Sequence, residues 1–276
     1  METDIWKPFD LITSISCDVT KSFTKIFPFF SDKIIEIENI LSPAFVKSRA
    51  DEFNVDWEQE ARAALNSNSF AVGGGNSLII LSIGRFSNQK NFDNLPFICS
   101  KLIEEMKLLL SVGRFCEAKN YDNVPDICKR MIDSGCDVKW YIIGFGVDEP
   151  LIRQKIAEAG MQEHVIILGK KENPYPYIKA CDIYVQPSRY EGKSVTVREA
   201  QMLCKPVSVT NYPTANSQIQ DGVDGVIVPM DNEGCAKVLA EFILDTEKQN
   251  RIIDYLQTHD YGNVDEVDKI YNILGI

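Results

Sequence analysis

The chain has little of what several function classes require. Its two histidines, His164 and His259, stand far apart and outside any cluster with metal-ligand spacing. Its eight cysteines are scattered with no C-x-x-C pair, which argues against a zinc site and for reduced thiols in an intracellular compartment. No apolar run approaches the roughly 20 residues a helix needs to cross a bilayer. The opening Met1-Glu2-Thr3-Asp4 is acidic where a secretory leader would be basic. Basic charge is also short, with 29 Lys and Arg against 40 Asp and Glu. The resulting net charge of −11 gives a nucleic-acid partner no electrostatic support. A soluble cytoplasmic protein is the expectation. With 276 residues, 45% of them hydrophobic, the chain can fill one good core but is short for two full domains.

What is present centres on the stretch from Pro187 to Gln201 (PSRYEGKSVTVREAQ). It follows an apolar run, Cys181 to Val185, that reads as a buried strand, and it leads through Ala200–Leu203 to a second strand, Pro206 to Thr210. A strand, a loop holding Gly192, Lys193 and Ser194, and a helix form the unit that offers backbone N–H groups to an anion. Glu191 and Glu199 bracket that loop, one before the helix and one on its second turn, so they serve different tasks. A phosphate would repel either carboxylate, and sugar or ribose hydroxyls are the natural partners. The bland alternative is a helix start with a dipole-favoured Glu and a surface Glu further on.

The Glu-x7-Glu spacing, with PSRYEG before and REAQMLCKPV after, resembles the nucleotide-sugar signature of the retaining glycosyltransferases of group 1, or family 4. The resemblance implies a two-Rossmann GT-B architecture, a nucleoside diphosphate sugar as donor, no cofactor and no metal. On that basis Glu199 would hold ribose hydroxyls and Glu191 donor-sugar hydroxyls, and N–H groups near Ser194 and Val195 would face the diphosphate.

An internal repeat precedes this region. Ser82–Cys99 and Ser111–Cys128 are identical at 11 of 18 positions at an offset of 29 residues, which reads as a duplicated strand–helix unit. Both copies carry Gly-Arg and, six residues after the Gly, Lys-Asn. In the resembling family a basic pair here holds the donor diphosphate, for which directional cationic donors suit. The second copy leads directly into the strand Val138 to Ile143, so Gly113, Arg114 and Lys119 are the expected phosphate contacts. Arg85 and Lys90 would belong to a spare unit.

Gly144-Phe145-Gly146 follows that strand and precedes a helix from Pro150 to Ala159. Glu149 stands where a dinucleotide fingerprint wants Gly, so an NAD site is poorly supported. After the strand Val165 to Gly169, the resemblance places Lys170 and Lys171 near the nucleobase; ordinary surface lysines are an equally good reading. Lys170 to Tyr177 reads as a loop rich in turn formers, and Asp231–Leu244, Thr246–Leu256 and Val264–Leu274 read as helices.

At the other end, Phe9–Ser16 and Lys33–Ile40 read as strands, Val19–Phe27 as a helix, and 45–60 as helical and charged. Phe23, Ile26, Phe27, Phe29 and Phe30 lie near Lys21, Lys25 and Lys33. A helix packed on a sheet is favoured for them over a foot on a membrane surface. These segments resemble the closing part of a GT-B first domain. Residues 1–60 are then a remnant of the acceptor domain and hinge, 61–106 a linker plus the duplicated unit, and 107–276 the nucleotide-sugar domain. A C-terminal helix that crosses back would have little to pack on.

Strands alternating with helices imply an α/β protein with a doubly wound parallel sheet. Gly113-Arg114, Gly144, Gly146, Gly169 and the Glu191 loop all follow strands, so they converge at the carboxyl ends where such sheets bind ligands. The resemblance therefore implies a retaining glycosyltransferase of bacterial surface polysaccharide synthesis, truncated, with a sugar or lipid-linked saccharide as acceptor and a peripheral position at the inner membrane face. A non-catalytic nucleotide-sugar-binding fragment and a sugar-nucleotide epimerase are the alternatives.

Overall fold

The structure, a computed structural model, describes residues 11–14, 16–66 and 106–274. The first copy of the repeat lies outside them, as does most of the expected linker. The N-terminal segment holds β1 (Ile12–Ser14), α1 (Cys17–Ile26), a 3-10 turn (Pro28–Lys33) and β2 (Ile34–Glu36), with β1 and β2 paired in parallel. The expected charged helix is two helices, α2 (Pro43–Ala50) and α3 (Trp57–Asn66). Lys47 and Arg49 in the last turn of α2 and Glu58 and Glu60 in the first turn of α3 favour a break, since each sign suits that end of a helix dipole.

Six parallel strands make up the main sheet. In chain order they are β3 (Lys107–Val112), β4 (Val138–Ile143), β5 (Val165–Gly169), β6 (Ile183–Gln186), β7 (Val207–Thr210) and β8 (Val226–Val228). Helices α4 (Val124–Asp133), α5 (Glu149–Ala159), α6 (Tyr175–Ala180) and α7 (Val195–Met202) connect them. After β8 come α8 (Asn232–Leu244), α9 (Thr246–Thr258) and α10 (Glu266–Leu274). The spatial order is β5-β4-β3-β6-β7-β8, the 3-2-1-4-5-6 order of a Rossmann-type sheet, with the reversal of direction between β3 and β6.

Alternation along each strand divides the core between the two faces. Leu109, Trp140, Ile142, Val165, Ile183 and Val185 pack with α4, α5, α8 and α9, while Leu110, Tyr141, Ile143, Ile166 and Tyr184 pack with α3, α6 and α7. Burial on both faces is why these strands read as continuous apolar runs. Each fully buried Leu, Ile or Val contributes roughly 1.5–3 kcal/mol.

Two sequence expectations change here. The loop expected through Tyr177 ends earlier, because Asn173 Oδ1 accepts from the Tyr175 N–H at 3.2 Å and starts α6. The C-terminal segment does find a surface. Asn263 Oδ1 accepts from the Leu41 N–H at 2.8 Å, its Nδ2 donates to the Asn39 carbonyl at 2.9 Å, and Glu266 Oε2 accepts from the Glu38 N–H at 3.1 Å.

One buried polar relay spans the centre of the sheet. Ser111 Oγ donates to the Val185 carbonyl at 2.6 Å and accepts from Trp140 Nε1 at 2.9 Å. Ser111→Ala strands a buried indole N–H and a buried carbonyl, at about 1–3 kcal/mol. Urea unfolding should show a lower midpoint at unchanged slope, and an unchanged midpoint would contradict this account.

Candidate functional site

The site is built at the strand reversal, where the turns after β3 and β6 part. After β3, Gly113 and Arg114 lead to a 3-10 turn, Glu117–Lys119, ended by Asn120 at φ 60°. Asparagine tolerates that left-handed conformation, which accounts for an Asn after Lys119. A Cβ on Gly113 would lie 3.2 Å from Lys119 Cε and 2.7 Å from the Tyr121 hydroxyl, so the glycine makes room for the lysine.

The β6 loop is tied across the reversal. Arg189 donates to Asp122 through both terminal nitrogens, at 3.0 and 2.8 Å, and to the Glu117 carbonyl at 2.7 Å. Its own N–H donates to the Ala118 carbonyl at 2.8 Å. The result is a 2.6 Å ion pair between Lys119 Nζ and Glu191 Oε1, both side chains largely buried at 19% and 11% exposure. Ser188 Oγ and Gln186 Nε2 donate to the same oxygen at 2.6 and 2.9 Å.

Loop β7–β8 braces the loop from beneath. Thr214 Oγ1 donates to the Glu191 carbonyl at 2.8 Å. Gln218 accepts from the Ser194 N–H at 2.9 Å and donates to the Ser194 carbonyl at 2.6 Å. The Ser194 amide is thus engaged internally, and it is the first-turn amides of α7, from Val195 onward, that helix geometry leaves for an anion.

Glu199 lies on the second turn of α7, 7% exposed, and accepts from the Tyr175 hydroxyl at 2.9 Å. Burial pushes its carboxyl up to about 7, against the lowering effect of the Tyr175 bond.

The other expected residues lie around this centre. Gly144 and Gly146 pack against the β3 turn, where a Cβ would meet the Gly113 carbonyl at 1.9 Å and the Phe115 carbonyl at 2.2 Å. Loop-to-loop packing alone therefore requires these two glycines. Arg114 is exposed. Lys170 is exposed and paired with Glu172 at 3.1 Å, and Lys171 is bound to Glu60 of α3 at 2.7 Å. Lys193, beside Gly192, is ion-paired with Glu38 of the N-terminal segment. A cavity of about 300 Å³ opens there, lined by Asn39, Lys193, Ser194, Val195, Arg198 and Tyr261 among others. Gln186, Arg189, Gln218 and Tyr175 were missed in the sequence. Only Arg189, inside the motif, carried a signal that could have found it. Among the described residues no group of His, Cys, Asp or Glu could hold a metal ion, and no helix is long and apolar enough to cross a membrane.

A Rossmann-type sheet with a basic turn and a two-carboxylate loop at its reversal defines a phosphate-ready α/β crevice. The chain matches the family model of glycosyl transferases group 1 over residues 97–259 and belongs to that family. It is 32% identical over 98 residues to a Campylobacter jejuni N-acetylgalactosaminyltransferase acting on a diphospho-undecaprenol-linked saccharide, covering 35% of this chain and 27% of that protein. It is 27% identical over 86 residues to the lipopolysaccharide core mannosyltransferase LpsB of Rhizobium meliloti, covering 30% and 24% respectively. The fold is similar to that of Anabaena HepE solved with UDP, at a TM-score of 0.67 and 15% identity, covering 99% of this chain and 65% of that one. It is also similar to WaaG, a lipopolysaccharide glycosyltransferase, at a TM-score of 0.65 and 15% identity, covering 96% and 62%. The matches thus span about a quarter of these curated relatives and just under two thirds of the solved chains. The sheet is of the GT-B type.

The raised Glu199 carboxyl has a stability consequence of fixed sign. Between its ordinary value of 4.5 and about 7 the folded chain binds more protons than the unfolded chain, so stability falls as pH rises through that window. The effect is on the order of 3 kcal/mol. Glu199→Gln removes it, so wild type should lose stability relative to that variant from pH 4.5 to 7 in urea unfolding. A difference independent of pH would contradict the assignment.

Proposed function

We propose that the chain binds a nucleoside diphosphate sugar in the β3–β6 crevice and serves as the donor half of a retaining, metal-independent glycosyl transfer in bacterial surface polysaccharide synthesis. The observation that carries this is the meeting of Lys119, Glu191 and the start of α7 at the strand reversal, with Glu199 buried one turn further on. Lys119 is already balanced by a carboxylate, so a diphosphate arriving there exchanges one anion for another. Arg114, exposed on the same turn, is free to follow the phosphates. Gly113 and the Val195 amide complete the anion contacts, and Glu191 meets donor-sugar hydroxyls.

Glu199 accepts the ribose hydroxyls. An ionised carboxylate accepts from both, so nucleotide binding favours its deprotonated form and strengthens as pH rises through about 7. As the sugar–oxygen bond breaks, its electron pair moves to the diphosphate, and Lys119, Arg114 and the helix start stabilise that charge. This leaving-group stabilisation takes the place of a protein nucleophile. Gly192 and Lys193 edge the cavity beside the donor loop, where a saccharide or lipid-linked saccharide acceptor has room. Lys170 stays a contact for the nucleobase edge. Ile26 and Phe29, 68% and 85% exposed beside Lys21 and Lys25, support peripheral contact with an anionic membrane.

Of the two repeat copies, the second is the one proposed to serve the site, since its strand is β3, beside the reversal. Lys119→Ala should weaken UDP or GDP binding by roughly 1.5–3 kcal/mol, about ten- to a hundredfold. Lys90→Ala should leave it unchanged, and Glu199→Ala should weaken it to a similar extent as Lys119→Ala. Titration calorimetry at fixed salt decides; loss of binding in Lys90→Ala instead would transfer the site to the first copy.

A further inference from the structure

We infer that Gln186 is a positioning residue that holds the Glu191 carboxylate in the orientation the donor sugar meets, an inference that rests on Glu191 as the sugar contact. Gln186 is the last residue of β6 and fully buried. A buried amide costs several kcal/mol unless its hydrogen bonds are made. All four of its bonding positions are used. Nε2 donates to Ser188 Oγ at 2.7 Å and to Glu191 Oε1 at 2.9 Å. Oε1 accepts from the Tyr184 hydroxyl at 2.9 Å and from Thr196 Oγ1 at 3.4 Å.

The orientation of the amide is set by its partners. Hydroxyls of Ser188, Tyr184 and Thr196 can donate or accept, but an ionised Glu191 oxygen only accepts, so the NH2 group must face it. Ser188 then receives one bond from Gln186 and passes its own proton toward Glu191 at 2.6 Å. With Lys119, three donors converge on Oε1. Without ligand that oxygen is saturated; when Lys119 turns to the diphosphate, Gln186 and Ser188 keep their two bonds on Oε1, and the carboxylate meets sugar hydroxyls through Oε2. Thr196 sits in the first turn of α7, so the same amide also fixes the Glu191 side chain relative to the helix that carries Glu199.

A purely structural glutamine and a positioning one differ in what their loss affects. Wild type, Gln186→Leu and Gln186→Glu are titrated with UDP, GDP, UDP-glucose, UDP-N-acetylglucosamine and GDP-mannose. The readout is the affinity ratio of each sugar nucleotide to its parent diphosphate, which cancels changes shared by both. Gln186→Leu should lower the ratio of the preferred donor about tenfold while parent-nucleotide affinity stays within about twofold. Gln186→Glu keeps the shape but faces Glu191 with a second carboxylate. It should lose the ratio at about pH 8 and regain it at about pH 5.5, where the new carboxyl holds a proton to donate. Unchanged ratios, or sugar nucleotide and parent weakened in parallel, would overturn the inference. If wild type binds none of these ligands, the donor-site reading itself fails. The positioning role is then read from crystal structures without ligand. Departure of Glu191 from Lys119 and Ser188 in Gln186→Leu is expected, and an unmoved carboxylate would refute it.

Discussion

Everything at the crevice depends on the contact between Lys119 and Glu191. Two turns from opposite sides of the strand reversal could each carry their charge into solvent, and neither does. Taking a lysine and a glutamate this far out of water costs several kcal/mol per ion, which their mutual attraction offsets only when further hydrogen bonds complete the shell. That shell is visible. Ser188 and Gln186 bind the same carboxylate oxygen, Arg189 is clasped by Asp122, and Asp122 lies three residues after Lys119. Remove either charge and the other is left buried against neutral donors, so the turns lose one of the contacts that, with the Arg189 bonds, hold them together.

The sheet was legible because parallel strands covered on both faces have to be apolar throughout. Val138–Ile143 and Val165–Gly169 have their expected bounds, and β3 falls beside the reversal, where continuity of the second repeat copy into β4 put it. Element ends were less legible, since they depend on single bonds such as the Asn173 contact that starts α6. At the crevice, the motif's spacing and the family resemblance singled out Glu191, Glu199 and Lys119, but not what each touches. Gln218 holds Ser194 from 24 residues away, Lys193 turns out to serve Glu38, and Lys171 serves Glu60. Such partners come from chain paths that no local pattern encodes. Gln186 was hidden for a different reason, since one amide at the end of an apolar strand looks like a flaw in the pattern until its four bonds are known.

The repeat illustrates the limit of local similarity. Gly-Arg and Lys-Asn occur in both copies, so residue identity alone assigns the phosphate contacts to neither. The two copies differ in the chain downstream of them. The second copy's helix, α4, delivers the chain to β4, and β4 lies against β3 with its post-strand glycines packed on the Gly113 turn. A turn acquires its function from the backbone that buttresses it, and here Gly144 and Gly146 supply a surface without side chains against which Gly113 and Phe115 can close.

Glu199 shows how the same economy reaches the N-terminal segment. Its carboxyl is buried under α7 with a single phenol donor, Tyr175, and that phenol is positioned by α6, on which α2 packs. Phe45 of α2 stacks edge-on to the Tyr175 ring at 6.3 Å, and Asn173, which starts α6, donates to the Arg49 carbonyl and to Glu52. The Tyr175 bond, which favours the ionised carboxylate against the effect of burial, is therefore held by packing that originates in residues 43–52, well before the sheet begins. On the proposed role, ribose hydroxyls would add donors to that carboxylate and favour its ionised form further. The protonation of Glu199 and the seating of α2 are in this way linked through Tyr175.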